Sequence, residues 1–151
     1  MFQKILIVCV GNICRSPFGE HALQKLIPHK TVNSAGIAVA KSGLVGRSAD
    51  PSIVELAAKD DFDLSNHKSK QLTKEMCHEY DLILVMEKGH IEAVTQISPE
   101  SRGKTMLLGQ WLPAQFISKE IPDPYRQSKE AFEHSYRLID TAVSAWAIKL
   151  G

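Results

Sequence analysis

The sequence predicts a single α/β domain over residues 1–151, with a four-stranded, mainly parallel sheet that carries helices on both faces. Three observations predict this fold class. Short apolar runs of strand length alternate with segments of helical periodicity along the chain. One run, residues 81–86, is apolar after its first residue, as in a strand covered on both faces by helices. A length of 151 residues with 44% hydrophobic side chains is enough for one sizeable core.

The first strand and the first helix follow from a change of periodicity near the start of the chain. Residues 5–8 are four successive aliphatic side chains, which predicts a buried strand. Residues 17–27 then place apolar side chains at helical spacing, and Pro17 suits a first helical turn. Residues 31–36 end in small side chains, and we expect the short second strand there.

The middle of the chain predicts a loop and two helices before the central apolar strand. Residues 39–48 contain two glycines and predict a loop. Asp50 followed by Pro51 indicates a helix start, with the aspartate as N-cap and the proline in the first turn. Residues 60–63, three of which are aspartates, break this helix, and another helix is expected to begin near Thr73.

The last third of the chain predicts a helix at residues 90–97, a strand at 105–108 and a long final helix. The final helix is clearly marked, because apolar side chains recur at spacings of four and three over residues 132–150. Residues 109–127 show little periodicity and contain three prolines. An irregular connection of this length in a compact domain is usually functional or disordered.

Charge and composition exclude several classes of partner. The formal net charge is +1, from 18 basic and 17 acidic residues, and no basic run is interleaved with aromatic residues, so nucleic acid is not expected as a partner. No apolar run is long enough to span a bilayer, so we expect no membrane insertion and a cytoplasmic protein. Three cysteines are an odd count, which favours free thiols in a reducing compartment over a disulfide framework.

A phosphate-binding loop is predicted between the first strand and the first helix, at residues 9–16, which we call the phosphate loop. The first N–H groups of a helix have no partners within the helix and attract anions. Cys9 ends the strand and Arg15 closes the loop. A thiol attacks as its thiolate, and groups that favour a negative sulfur also hold the oxygens of phosphate or arsenate. Arginine can grip two oxygens at once, while Gly11 and Asn12 suit a tight anion-binding turn.

Cleavage of a phosphate ester also requires an acid for the leaving oxygen. Asp123 is the candidate, because the prolines at 122 and 124 stiffen the segment around it. Taken alone, this aspartate is better explained as an ordinary turn residue. Ser16 can donate a hydrogen bond to the sulfur and help it leave as thiolate. A buried cysteine beside an unrelated surface arginine is the alternative for the loop itself.

These residues resemble the low-molecular-weight protein tyrosine phosphatases over essentially the whole chain. The most specific segments are residues 8–17 near the start and 123–125 near the end. Residues 33–36, 46–48 and 67–72 also match family segments in order. The resemblance implies that Cys9 is the nucleophile and that Arg15 binds the phosphate. It also implies that Asp123 is the general acid and then the base, and that Ser16 donates a hydrogen bond to the thiolate.

The resemblance further implies a set of binding and supporting residues and no metal or cofactor. The phosphate is expected to be bound by the residues of the phosphate loop, namely Val10, Gly11, Asn12, Ile13, Cys14 and Ser16. Asn12, Ser34 and His67 are expected to form hydrogen bonds that hold this loop in shape. Tyr125 is expected to form one wall of the substrate cleft, the alternative being a capping contact at the start of the last helix, and Leu44 is expected to form the opposite wall.

The resemblance is nearest to bacterial members that act with tyrosine autokinases of capsule and exopolysaccharide export, through residues 107–111 and 121–150. It implies that the partner is a phosphotyrosine protein, the tyrosine-rich cytoplasmic tail of such a membrane kinase. Two other classes share features of the loop. Arsenate reductases of this fold need two further cysteines, and only Cys77, which we assign to the core, remains downstream. A non-catalytic phosphate-binding module would not need Asp123.

Cys14 has two interpretations. It is either a small apolar residue under the phosphate loop or the partner of Cys9 in a reversible disulfide that protects the nucleophile from oxidation. His67 can likewise be a simple structural histidine, which differs little from a supporting role.

Overall fold

In residues 2–116 and 118–151, which the computed structural model describes, four parallel strands form one sheet in the order β2–β1–β3–β4. The strands are β1 (Lys4–Cys9), β2 (Thr31–Gly36), β3 (Leu82–Val85) and β4 (Thr105–Leu107). β1 pairs with both β2 and β3 in parallel register, so that it lies in the middle of the sheet. The order places the carboxyl end of β1 beside those of β2 and β3.

The helices are α1 (Arg15–Leu26), α2 (Pro51–Lys59), α3 (Lys74–Glu79), α4 (Lys88–Ile97) and α5 (Lys129–Leu150). Two short 3₁₀ helices cover Pro99–Lys104 and Leu108–Trp111. Among these described helices, none is long and apolar enough to cross a membrane.

The core lies on both faces of the sheet, because side chains of β1 alternate between them. Ile5 and Ile7 pack in one apolar cluster with residues of α1, α2 and α5. Leu6 and Val8 pack on the other face with residues of α3 and α4. All four side chains are fully buried, as expected for a central strand of a parallel sheet. The predicted α/β fold with helices on both faces is confirmed.

Side chains cap the starts of α2, α3 and α5, and the first two of these starts are where the sequence indicates them. Asp50 Oδ1 accepts a hydrogen bond from the backbone N–H of Ser52 at 2.9 Å, and the side chain of Thr73 accepts from the N–H of Met76 at 3.2 Å. Ser128 Oγ accepts from the N–H of Ala131 at 3.1 Å and starts α5. Each cap satisfies a backbone donor that has no partner within its helix.

Two helix starts, one strand end and one short element differ from the expectations, the strand being β4, which ends at Leu107 rather than at residue 108. α1 begins at Arg15 rather than at residue 17, so the last residues of the phosphate loop are already helical. α4 begins at Lys88, two residues before the predicted start, after the N-cap Glu87. The 3₁₀ helix over Pro99–Lys104 was not expected from the sequence, since so short an element carries no periodicity.

The final helix buries the predicted stripe against the sheet and α1. Phe132, Tyr136, Ile139, Val143 and Trp146 are all buried. The ring of Tyr136 stacks on the ring of Phe18 in α1, with 4.0 Å between ring centroids. This contact joins the first and last helices beside the phosphate loop.

Candidate active site

The phosphate loop folds around the sulfur of Cys9. Asn12 has a φ of 56°, in the left-handed region, and this turn directs its backbone N–H toward Cys9 Sγ at 3.3 Å. Ser16 Oγ lies 3.0 Å from Cys9 Sγ on the other side. The sulfur therefore contacts two hydrogen-bonding groups of its own loop.

The side chain of Asn12 holds the loop from behind. Its Nδ2 donates to Ser16 Oγ at 2.7 Å and to Ser34 Oγ at 3.0 Å, and its Oδ1 accepts from the backbone N–H of Lys70 at 3.0 Å. The side chain is fully buried. Because all of its donors and its acceptor have partners, it can fix three separate segments of the chain at once.

The hydroxyl groups of Ser16 and Ser34 both accept hydrogen bonds from Asn12. Ser16 Oγ accepts from Asn12, so its own O–H is free to donate to Cys9 Sγ. Ser34 Oγ likewise accepts from Asn12 and donates to Glu20 Oε1. Glu20 was not identified from the sequence, although it lies one helical turn after Ser16 on the same face of α1.

His67 also contacts the back of the loop. Its Nε2 lies 2.6 Å from the backbone oxygen of Asn12. Burial lowers the pKa of His67, so the ring is neutral at neutral pH and donates through Nε2–H to this carbonyl. The three residues predicted to support the loop, Asn12, Ser34 and His67, lie in one connected set of contacts.

Glycine is required at the end of β2, where the neighbouring loop approaches the phosphate loop. A Cβ on Gly36 would lie 2.4 Å from Val39 Cγ2 and 2.6 Å from the backbone oxygen of Val10. Any larger residue would therefore push residues 37–46 away from the phosphate loop.

Arg15 is buried, and its charge is paired on one side. Nη1 donates to Glu87 Oε2 at 2.6 Å and to the backbone oxygen of Ile121 at 2.9 Å. Nη2 lies 3.8 Å from Asp123 Oδ2. The carboxylate of Glu87 and the carbonyl of Ile121 compensate a buried guanidinium and fix its plane. The other edge of the guanidinium is left to face the cavity.

Asp123 reaches the site because its segment is tied to the sheet and to α5. The N–H of Ile121 donates to the backbone oxygen of Met86 at 2.9 Å, just past β3. Ser135 Oγ, on α5, donates to the backbone oxygen of Pro122 at 2.8 Å. Asp123 Oδ1 accepts from the N–H of Tyr125 at 3.0 Å, while its side chain is about half exposed.

A cavity of about 440 Å³ opens above Cys9. The predicted site residues that line it are Cys9, Val10, Gly11, Ile13, Cys14, Arg15, Leu44, Asp123 and Tyr125. Asn12, Ser16, Ser34 and His67 are instead buried behind the phosphate loop. Asn12 and Ser16, predicted among the phosphate-binding residues, thus have side chains that face the sulfur and the supporting contacts rather than the cavity.

Apolar side chains form the walls of the cavity. Leu44 and Tyr125 pack against a cluster of Ile13, Cys14 and Phe132. Ser69 Oγ donates a hydrogen bond to the backbone oxygen of Leu44, which holds this wall in place. The arrangement suits a flat apolar group, such as an aromatic ring, above the phosphate loop.

The three cysteines are free, and all three are buried. Burial raises the pKa of Cys14, which therefore remains a thiol beside the loop. Cys77 is fully buried in the cluster on the opposite face of the sheet from α1 and α5, as the core assignment predicts. In the described part of the chain, no group of three or more His, Cys, Asp or Glu side chains is placed to hold a metal ion.

Several site residues were missed from the sequence. Glu87 pairs with Arg15, and Ser42, Arg47 and Arg126 line the cavity. Glu87 lies two residues after the end of β3, and the meeting of strand carboxyl ends at one sheet edge is a signal that identifies it. The other three lie in loops whose course no local pattern predicts.

Comparison with known proteins agrees with this geometry. The family profile described as low molecular weight phosphotyrosine protein phosphatase matches residues 4–151. The chain is 51% identical over 149 residues to the low molecular weight protein-tyrosine-phosphatase Etp of Escherichia coli K12, covering 99% of this chain and 95% of that protein.

Two solved structures resemble the whole chain. The structure of Vibrio vulnificus Wzb in complex with benzylphosphonate is 63% identical, with a TM-score of 0.93 and coverage of 99% of each chain. The structure of the tyrosine phosphatase Wzb from Escherichia coli K30 in complex with sulphate is 49% identical, with a TM-score of 0.92 and complete coverage of both chains.

Proposed function

The chain belongs to the low-molecular-weight phosphotyrosine protein phosphatase family, and we propose that it hydrolyses phosphotyrosine through a phosphocysteine formed on Cys9. Enzymes of this family are cysteine-dependent and metal-independent, and this chain is a tyrosine phosphatase among them. One observation carries the mechanism: Cys9, Arg15 and Asp123 line a single cavity, although Asp123 is distant from the other two in sequence.

In the first step, Cys9 Sγ attacks the phosphorus atom of phosphotyrosine. The S–P bond forms as the bond between phosphorus and the tyrosyl oxygen breaks. The departing oxygen takes the proton of the Asp123 carboxyl group, so tyrosine leaves as a neutral phenol. Asp123 suits this role because it lines the cavity and its side chain is about half exposed.

In the second step, the Asp123 carboxylate removes a proton from water, and the water oxygen attacks the phosphorus atom. The S–P bond breaks, inorganic phosphate leaves, and Cys9 returns as thiolate. The O–H of Ser16 and the N–H of Asn12 stabilise that thiolate, since both contact the sulfur. The same two contacts favour the thiolate that begins the cycle.

Arg15 and the phosphate loop bind the oxygens of the phosphoryl group. Glu87 and the Ile121 carbonyl hold one edge of the guanidinium, so the other edge is oriented before substrate arrives. The amide groups that begin α1 add further donors without acceptors inside the helix. Such preorganised donors are a large term in phosphoryl transfer.

The cleft walls support an aromatic phosphate ester as substrate. The ring of phosphotyrosine would pack between Leu44 and Tyr125, above Ile13. A phosphoserine side chain carries no ring to cover these apolar surfaces. The walls therefore favour phosphotyrosine.

We further propose that the substrate is the tyrosine-rich cytoplasmic tail of a membrane tyrosine autokinase involved in capsule or exopolysaccharide export, which would place the enzyme in the cytoplasm. This proposal rests on the resemblance of residues 107–111 and 121–150 to bacterial members of that kind. The high identity to Wzb of Vibrio vulnificus is in keeping with it.

The mechanism is tested with a Cys9→Ser variant. We expect it to retain phosphate binding, to lose turnover of p-nitrophenyl phosphate in the presence of a metal chelator, and to capture the phosphorylated kinase tail in a pulldown. Cys77→Ser, which changes a cysteine on the other face of the sheet, is the matched control and should turn over normally. Ordinary turnover by Cys9→Ser would refute the nucleophile.

The covalent intermediate is tested separately with Asp123→Asn. With p-nitrophenyl phosphate, the leaving group departs as p-nitrophenolate and needs no proton from Asp123, so the first step still proceeds while the second lacks the carboxylate that activates water. Rapid quenching of this variant should therefore reveal protein heavier by one phosphoryl group, which is absent in Cys9→Ser. Arsenate reduction with thioredoxin is not expected, because Cys77 is buried in the core and cannot resolve an arseno-thiol. Reduction of arsenate by the wild type would contradict the assignment.

A further inference from the structure

Two arginines at the cavity rim have no part in the mechanism above. Arg47 and Arg126 both line the cavity, and both are exposed to solvent. In the described residues, neither guanidinium has a carboxylate within 4.0 Å. Two unpaired cations therefore flank the opening through which a substrate must enter.

The charges of the cavity are unequal. Its described lining contains three guanidinium groups, those of Arg15, Arg47 and Arg126, and one carboxylate, that of Asp123. Arg15 is paired with Glu87 and serves the transferred phosphoryl group. The other two arginines are thus available to an anionic group other than the phosphate above Cys9.

Both arginines are held at the rim by their backbones. The N–H of Arg47 donates to Ser69 Oγ at 2.9 Å, and its carbonyl accepts from the N–H of Ser69 at 2.8 Å. Arg126 has a φ of 60°, a left-handed conformation that is uncommon for a residue with a side chain. Its guanidinium carbon lies 5.1 Å from the ring centroid of Tyr125, on the wall that would contact the substrate ring.

We propose that Arg47 and Arg126 form a second anion site, which binds a carboxylate or a phosphate carried by the same peptide within a few residues of the phosphotyrosine. The site rests on the proposed function, since it acts on the peptide that presents the phosphotyrosine. Each extended residue spans roughly 3.3–3.6 Å, so neighbouring side chains reach the rim when the phosphotyrosine occupies the cavity.

The group that this site binds is negatively charged, and two kinds of peptide side chain can supply it. An aspartate or glutamate next to the phosphotyrosine offers one charge. A second phosphotyrosine, as in a tyrosine-rich tail, offers about 1.5 to 2 charges and more acceptor oxygens. Arginine binds both, because its planar fork matches carboxylate and phosphate oxygens.

The test compares synthetic phosphotyrosine peptides that differ only in the flanking residues. One peptide has neutral neighbours, one has glutamates on both sides, and one has a second phosphotyrosine. We expect kcat/KM for either acidic peptide to exceed that for the neutral peptide by about three- to tenfold, as for two exposed ion pairs. The advantage should disappear at about 1 M salt, which screens exposed charges.

The variants Arg47→Ala and Arg126→Ala should each reduce the ratio of kcat/KM between acidic and neutral peptides, and the double variant should bring it to about one. Arg102→Ala is the charge-matched control, because Arg102 precedes β4 at the opposite edge of the sheet. An unchanged ratio in the double variant, or an equal loss in Arg102→Ala, would overturn the site.

The three peptides distinguish failure of the second anion site from failure of the proposed function. If the wild type hydrolyses no phosphotyrosine peptide, the proposed function fails. If it hydrolyses the neutral and acidic peptides equally, only the second anion site fails. A preference confined to one acidic peptide supports the site and identifies its anion as carboxylate or phosphate.

Discussion

The two sides of the phosphate loop differ in burial and in how fully their polar groups are paired. Behind the loop, Asn12, Ser16 and Ser34 are fully buried and linked by side-chain hydrogen bonds. On the cavity side of the loop, Arg47 and Arg126 are exposed. Arg47 is held by hydrogen bonds of its backbone, and the guanidinium of Arg126 lies over the ring of Tyr125. The phosphate loop therefore separates buried polar side chains that are all hydrogen-bonded from exposed arginines that are not paired with a carboxylate of the described residues.

This difference indicates that the two sides of the loop have different functions. A buried polar network is rigid when every member is satisfied, and it keeps the donors around Cys9 in place before substrate binds. Exposed side chains in loops can adapt to a partner and change without disturbing the core. We therefore expect changes behind the loop to lower stability and turnover together, and changes at the rim to alter kcat/KM for particular substrates.

The largest effect is expected at the boundary between the two sides, for Arg15→Lys. A lysine ammonium keeps the charge but cannot contact Glu87, the Ile121 carbonyl and phosphoryl oxygens in one plane. We expect kcat for p-nitrophenyl phosphate to fall about 10²–10³-fold. Arg102→Lys is the control for loss of an arginine elsewhere, and near-normal kcat in Arg15→Lys would mean that charge alone suffices.

Behind the loop, Asn12→Ala and Asn12→Gly separate the side chain of Asn12 from its backbone conformation. Both variants leave Ser16, Ser34 and the Lys70 N–H without their partner, which should lower the free energy of unfolding by about 2–4 kcal/mol. Asn12→Gly should lose about 1 kcal/mol less, because glycine adopts the positive φ without strain.

Urea denaturation measures the stability of both Asn12 variants, and steady-state kinetics measures their turnover. Turnover should fall in both, since Ser16 loses the contact that orients its hydroxyl. Wild-type stability in Asn12→Ala would show that the contacts behind the loop do not hold it.

A smaller effect is expected from acidification, through His67. Burial lowers the pKa of His67 in the folded state, so its full contribution to stability is present above the ordinary value of about 6.5. As the pH falls below that value, the unfolded chain binds the proton first and stability is lost. Free energies of unfolding measured from pH 7.5 downward should therefore decline less steeply in His67→Gln.

His90 accounts for part of the same decline, because burial lowers its pKa as well. The double variant His67→Gln with His90→Gln should thus have the shallowest dependence over this range. A slope unchanged by His67→Gln would contradict a neutral, buried imidazole behind the loop.

The smallest effect is expected at the rim, for Leu44→Ala. Loss of part of an apolar wall should lower kcat/KM for phosphotyrosine peptides about fivefold, with little change in stability. Val45→Ala is the matched control, since Val45 is 62% exposed and its loss removes no wall of the cavity. A large loss of stability in Leu44→Ala would contradict the expectation that changes on the cavity side of the loop leave stability nearly unchanged.

Much of the site was predictable because its parts are close together in sequence. Cys9, Arg15 and Ser16 belong to one strand, turn and helix, and local periodicity determines that arrangement. The N-caps Asp50 and Thr73 and the buried stripe of α5 follow from the same short-range rules. The start of α1 differed because the phosphate loop passes directly into the helix.

Local patterns in the chain were enough to predict the succession of strands and helices, the thiol at the end of β1 and the arginine six residues later. Folding was needed to show that Glu87 and the Ile121 carbonyl hold Arg15, that the Lys70 N–H donates to Asn12, and that Arg47 and Arg126 line the same cavity. Periodicity and capping act between neighbours along the chain, whereas these contacts join segments that meet only after the sheet and helices have packed.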